Sequence, residues 1–289
     1  MALSLSPIGC SWLDAPRSAE TQPAPAEETS DVPAAGSEAT PAGASGPVTI
    51  EQAPPSTPGA ATLSVLHVRL PASQRTAAER LWNYVREDVV PAPVALRLHE
   101  NGFRVGIGHE RTWNSVRQAI DEIDDRRSMQ LDPVRLPPNY PLALELDSEP
   151  RDQTLFHVAS DGVISGSTWA QSRNVLRVTF NPDFRGPGRA LLNVTPEVRQ
   201  RLDGWRWVRS ESGLWQTPKY SGQAFDLVAV NVALEHNEFL LIAPGERAAA
   251  NGLIGGAFLR SEIDGVVQES YIFLKLDVAD AGSRSQLGR

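Results

Sequence analysis

The chain has 289 residues, 41% of them hydrophobic and 21% charged, which is enough for one large domain or two small ones. A net charge of −8 and a pI near 5.2 argue against a general nucleic-acid binder, whose phosphate contacts need clustered Lys and Arg. One cysteine, Cys10, allows no intrachain disulfide and no multi-cysteine metal site, and without a run of about 18 apolar residues no transmembrane helix is expected.

The first informative stretch is "SLSPIGCSW", residues 4–12. Ile8, Gly9 and Cys10 end a short apolar, small-residue run, and this resembles the lipobox of bacterial lipoproteins, with Pro7 standing where that pattern usually has Leu. The resemblance implies that residues 1–10 are the remnant of a lipoprotein signal and that Cys10 is the lipid attachment site. It also implies a place in the bacterial envelope. Ser11, which is not acidic, tilts that place towards the periplasmic side of the outer membrane. Residues 11–61 hold few large apolar side chains among Pro, Ala, Ser, Thr, Gly and Glu. Such a segment buries too little surface to offset its ordering entropy and reads as a disordered tether. The alternative, if Met1 is the true start, is a cytoplasmic protein with a disordered arm and an incidental cysteine.

Residues 62–136 read as a small α/β module. "ATLSVLHVRL" alternates as a strand. "TAAERLWNYVREDVV" reads as a helix with Thr76 and Glu79 at capping-box spacing and a stripe of Ala78, Leu81, Trp82, Val85 and Val89. A second helix starts at the proline of "PAPVALRLHENG" and stops at Asn101-Gly102. "FRVGIG" is a short strand with a turn at its glycines. "ERTWNSVRQAIDEIDD" is a third helix with Trp113, Val116, Ile120 and Ile123 on one side. Strand-helix-helix-strand-helix modules recur in ring-forming envelope proteins and in many others, so the order alone gives no function.

Residues 137–279 read as a β-rich sandwich or curled sheet, followed by a disordered tail at 280–289. Leu142, Leu144 and Leu146 alternate; "TLFHVASDGVISGSTW" is a hairpin around Ser160-Asp161-Gly162; Leu176, Val178 and Phe180 share a face. The whole is therefore expected to be α+β. Within this region Val194-Thr195-Pro196, Gly252-Leu253-Ile254, Gly256-Ala257-Phe258-Leu259 and Ile272-Phe273-Leu274 follow one another in an order that resembles the C-terminal core of bacterial secretins, over about 90 residues. The resemblance implies an accessory relative and not a pore, since no pair of long amphipathic membrane hairpins is evident. The alternative is an unrelated β domain under the same packing demands.

Catalytic patterns are not found. His67, His99, His109, His157 and His236 show no tight ligand spacing, His109-Glu110 and His236-x-Glu238 being the nearest approaches. No metal or other cofactor is expected. No GxSxG elbow occurs, and the glycines of "GIG" lack the lysine of a phosphate cradle. Asp121, Asp124 and Asp125 sit at a helix end and read as a solvated face. Tryptophan is the unusual feature: "WRWVRSESGLW" holds Trp205, Trp207 and Trp215 with Arg206 and Arg209. In a strand Trp205 and Trp207 share a face. That face either packs in the core or against a cross-strand neighbour, or stacks on sugar rings or covers a partner. The sequence thus points to a non-enzymatic, lipid-anchored envelope protein with protein partners, an accessory to a secretion or pilus-type machine being the expected setting, that touches the membrane only through its anchor. A glycan- or peptidoglycan-binding module using the Trp face is the alternative.

Overall fold

The structure, a computed structural model, describes residues 59–146, 149–183, 185–186, 188–210, 213–250 and 252–278. Cys10, residues 11–58 of the tether expected at 11–61 and the tail at 280–289 lie outside the described residues; the tether's last residues, Ala60 and Ala61, are instead buried, with Ala61 opening the first strand.

The elements run β1 (Ala61–Pro71), α1 (Arg75–Ala78), β2 (Val85–Arg86), α2 (Ala92–Glu100), β3 (Phe103–His109), α3 (Glu110–Asp121), β4 (Arg127–Gln130), β5 (Val134–Leu136) and β6 (Leu142–Glu145). They continue with β7 (Arg151–Val158), β8 (Ile164–Pro182), β9 (Ala190–Ser210), β10 (Gly213–Ala224), β11 (Val230–Leu234), β12 (Glu238–Pro244), α4 (Ile254–Leu259), β13 (Arg260–Ile263) and β14 (Val266–Val278). The fold is β-rich and rests on two antiparallel sheets. The first has the order β2-β3-β12-β14-β1-β4, with β13 on β14 and β5 on β1. The second has the order β10-β9-β8-β6, with β11 on β9 and β7 on β8.

Strand alternation decides how the sheets stack. Leu63 and Val65 of β1, Leu240 and Ile242 of β12, and Ile272 and Leu274 of β14 face the second sheet. There they join Leu176, Val178 and Phe180 of β8 and Leu192 and Val194 of β9 in one core. The opposite face of the first sheet carries Val68, Leu70, Phe239, Leu241 and Phe273, and packs on Leu81, Trp82, Val116 and Ile120. The result is a helical layer, a sheet and a second sheet.

Two features depart from the sequence pattern. The division expected at 136/137 runs through a shared sheet: β1 pairs with β14 over eleven residues, from Ala61↔Val278 to Pro71↔Gln268, and β3 pairs with β12. Periodicity marks a strand but says nothing of its distant partner. The first expected helix is also broken into Arg75–Ala78 and a 3-10 stretch, Glu79–Tyr84, after which Val85 enters β2. No capping box forms. The Glu79 carboxylate instead accepts from the Arg104 guanidinium at 2.7 Å, and Arg104 stacks 3.9 Å over the Trp82 ring.

The glycines of "GIG" do not turn. Gly106 and Gly108 lie inside β3 on the helix-covered face. A Cβ on Gly106 would come 2.9 Å from the Arg86 carbonyl oxygen and 3.2 Å from the Trp82 ring, and one on Gly108 would fall on the Phe239 ring. They serve close packing rather than backbone direction.

Candidate functional site

The aromatic segment stands on a β-hairpin that outruns its own sheet. β8 accompanies β9 only as far as Ser172↔Gln200. At Gln171, with φ 45°, β8 turns aside and continues as the partner of β7. From Arg201 onward β9 is paired, among the described residues, with β10 alone, through Arg209↔Leu214 and Ser210↔Gly213. This two-stranded arm extends roughly 24 Å at about 3.4 Å per residue. Hairpins of two strands are marginal by themselves and gain from packing on something else.

A bulge sits at the base of the arm. Leu202 pairs with Lys219 and Trp205 with Pro218, so Asp203 and Gly204 are extra residues on β9, with Gly204 at φ 90°. The bulge restores the facing of the strand. Trp205 and Trp207 lie on the solvent side of the second sheet, with 55% and 63% of their surface exposed. The Arg201 guanidinium lies 5.9 Å from the Trp205 ring centroid, and Tyr220, 47% exposed, pairs with Arg201 across the strands. Core packing of Trp205 and Trp207 is thereby replaced by solvent exposure. Arg206 pairs with Thr217, Val208 with Trp215 and Arg209 with Leu214 in the backbone ladder. The side chains of Arg206, Arg209 and Trp215 lie outside the described set. The outer edge of β10 carries Pro218 and Lys219, residue types that discourage addition of another strand. The arm offers a face and not an edge.

A second concavity lies on the helical side of the first sheet. Beside α3, a cavity of about 160 Å³ is floored by Trp113, Phe239, Phe273 and Leu66 and rimmed by Ser64, Glu110, Arg117, Gln130 and Lys275, among others. The Trp113 ring meets Phe239 at 5.1 Å and Phe273 at 5.5 Å, both edge-on. Lys275 Nζ binds Glu110 Oε1 at 3.3 Å at the rim. Trp113 is legible in the sequence as part of a helical stripe. Its neighbours from β12 and β14 are more than a hundred residues away, so the cavity leaves no local signal.

The histidines find structural places. His67 is buried, with Nε2 2.9 Å from Ser270 Oγ. Burial, helped by the Arg69 guanidinium, pulls its imidazole down to about 3. His109 caps α3, its Nδ1 accepting from the Arg111 amide at 3.1 Å. His157 packs edge-on against Phe225 at 5.7 Å, and His236 lies 3.8 Å from Asp277. Among the described residues no three His, Cys, Asp or Glu side chains gather as a metal cluster.

One ionic cluster is hidden from the sequence. Glu269 of β14 is 1% exposed and accepts from Arg75 of α1 at 3.5 Å and faces Arg260 of β13 at 3.4 Å. Burial pushes its carboxyl above the usual carboxylate range, against the pull of Arg75 and Arg260. Burial likewise raises the Tyr271 hydroxyl, aided by the Glu269 charge. The cluster ties α1 and β13 to β14, with the Glu269 carboxylate buried and both guanidiniums partly exposed. The chain matches no protein-family model, no curated protein and no solved structure.

The secretin-like residues are dispersed through this frame. Val194, Thr195 and Pro196 lie in β9, Gly256–Leu259 in α4 and Ile272–Leu274 in β14. Gly252 packs under Phe156, whose amide donates to the Gly252 carbonyl at 2.7 Å.

Proposed function

We propose that this protein is a non-catalytic interaction protein of the bacterial cell envelope, tethered by a lipid on Cys10 and engaging its partner through the β9–β10 arm. One observation carries the reading: Trp205 and Trp207 are 55% and 63% exposed on a hairpin that no third strand among the described residues supports. Exposed Trp, Tyr and Arg together are the residue types that dominate binding energy at protein interfaces. Beside the arm, Arg177 and Arg199 on the solvent face pair with Glu197 within the sheet. The lipobox-like Ile8-Gly9-Cys10 supports the anchor, and the secretin-like order of short motifs supports a setting beside a secretion or pilus-type machine.

The test is co-purification from the envelope fraction, with the protein produced from its own locus and upstream DNA. A chain beginning at a lipid-bearing Cys10, pelleting with membranes and bringing down a defined component that Trp207→Ala releases, is the expected result. An unmodified chain that does not pellet with membranes removes the anchor. Equal recovery of the component by Trp207→Ala removes the arm.

The same exposed face sustains a second reading, in which Trp205, Trp207 and Tyr220 stack on the sugar rings of a glycan or of peptidoglycan. Tryptophan quenching by soluble glycan fragments, lost in Trp207→Ala, selects it.

A further inference from the structure

Two features on the described residues are of complementary kind: a projecting tryptophan and an aromatic-floored cavity of about 160 Å³. We propose that the arm of one copy docks on the body of a second copy, seating Trp207 in the cavity beside α3, so that copies associate head to tail. This rests on the reading of the arm as the contact element and names its partner.

Size comes first. An enclosed apolar cavity of about 150 Å³ accepts one benzene-sized ring, so this open pocket takes the six-membered ring of an indole and leaves the pyrrole edge at its rim. Trp207, at 63% exposed, is more exposed than Trp205 at 55%. The floor suits an indole, because Trp113, Phe239 and Phe273 already meet edge-on and an entering ring adds another such contact. Glu110 at the rim supplies a carboxylate acceptor for the indole N–H.

Charge agrees. Residues 201–220 carry four basic and two acidic side chains, whereas the rest of residues 59–278 carries 25 acidic and 20 basic ones. A basic arm on an acidic body attracts the body of another copy and repels another arm. The edge of β10, with Pro218 and Lys219, disfavours strand addition, which leaves the face to make the contact.

Geometry sets the type of assembly. The arm belongs to the second sheet, and the cavity opens on the face of the first sheet turned away from it. The two surfaces differ, so the interface is heterologous, and each added copy presents a free arm or a free cavity. Such contacts give rings if the rotation closes and filaments if it does not.

Sedimentation of the full, unlipidated chain across a dilution series is the test, with three variants. Trp207→Ala disables the arm. Ser64→Phe and Gln130→Trp each fill the cavity from its rim without removing a core side chain. The wild type is expected to rise above the 31.4 kDa monomer with concentration, and to fall back as salt screens the charges. Each variant alone stays monomeric. An equimolar mixture of Trp207→Ala with either cavity variant forms a dimer that grows no further, since one chain keeps its cavity and the other its arm. That rescue also shows that both variants are folded. A wild type that is monomeric throughout, a Trp207→Ala chain that assembles like wild type, or mixtures with both cavity variants that stay monomeric overturns the proposal. Co-purification from the envelope judges the arm's wider role separately, because a partner other than a second copy would still be released by Trp207→Ala.

Discussion

Gly108 of β3 lies beneath the ring of Phe239 in β12, its direct cross-strand partner, and any side chain at 108 would take the place of that ring. Phe239 in turn holds Trp113 of α3 edge-on at 5.1 Å. A residue without a side chain thereby sets the height at which the helical layer packs. Gly108→Ala is expected to destabilise the fold by about 1–3 kcal/mol through overpacking. The midpoint of denaturant unfolding reads this, and an unchanged midpoint contradicts it.

The buried carboxylate predicts a second loss. Glu269→Ala leaves Arg75 and Arg260 near a buried site with no counter-charge. Breaking a fully buried pair costs about 3–5 kcal/mol. Both guanidiniums keep some contact with water, so about 2 kcal/mol is expected here. Chemical denaturation of the variant measures it.

His67 gives a pH dependence with a definite sign. Its folded value, about 3, lies below the ordinary 6.5, so between these limits the unfolded chain binds a proton that the folded chain refuses. Stability contributed by neutral His67 is complete above pH 6.5 and drains away as the pH falls towards 3, by up to about 1.4 kcal/mol per pH unit. Glu269 acts oppositely above its ordinary value of 4.5, because its raised carboxyl takes up a proton more readily in the folded state. Comparing wild type with His67→Gln isolates the first effect: the variant's unfolding free energy should fall less steeply between pH 6.5 and 4.5. Parallel profiles contradict it.

Trp207→Ala should separate stability from binding. The side chain is 63% exposed, so its removal is expected to change the unfolding free energy by no more than about 0.5 kcal/mol. A larger loss, read by thermal or chemical unfolding, means that the ring packs within the chain.

Much of the local structure is legible in the sequence. Pro91 and Asn101-Gly102 bound α2, the Val116–Ile120–Ile123 stripe marks the buried side of α3, and Asp161-Gly162 turns the β7–β8 hairpin. What local pattern does not carry is partnership. β1 and β14 are some 200 residues apart, and nothing in "ATLSVLHVRL" names "ESYIFLKLDV" as its neighbour. The first helix breaks because Glu79 and Trp82 are taken up by Arg104 of β3, a long-range contact. The arm is half legible. Alternation places Trp205 and Trp207 on one face, but their exposure depends on β8 leaving β9 at Gln171, which no feature of the Trp segment announces. The cavity is assembled from β1, α3, β12 and β14 and has no motif at all.

The most direct test of the arm as the contact surface is a photo-crosslinking residue placed at Trp207, with Val163 at the exposed β7–β8 turn as the control site, in envelopes containing the full-length protein. The account predicts a discrete light-dependent adduct from position 207 and none from 163. Its mass identifies the partner, a doubled chain being the self-association product. No adduct from 207, or the same adducts from both positions, contradicts the account.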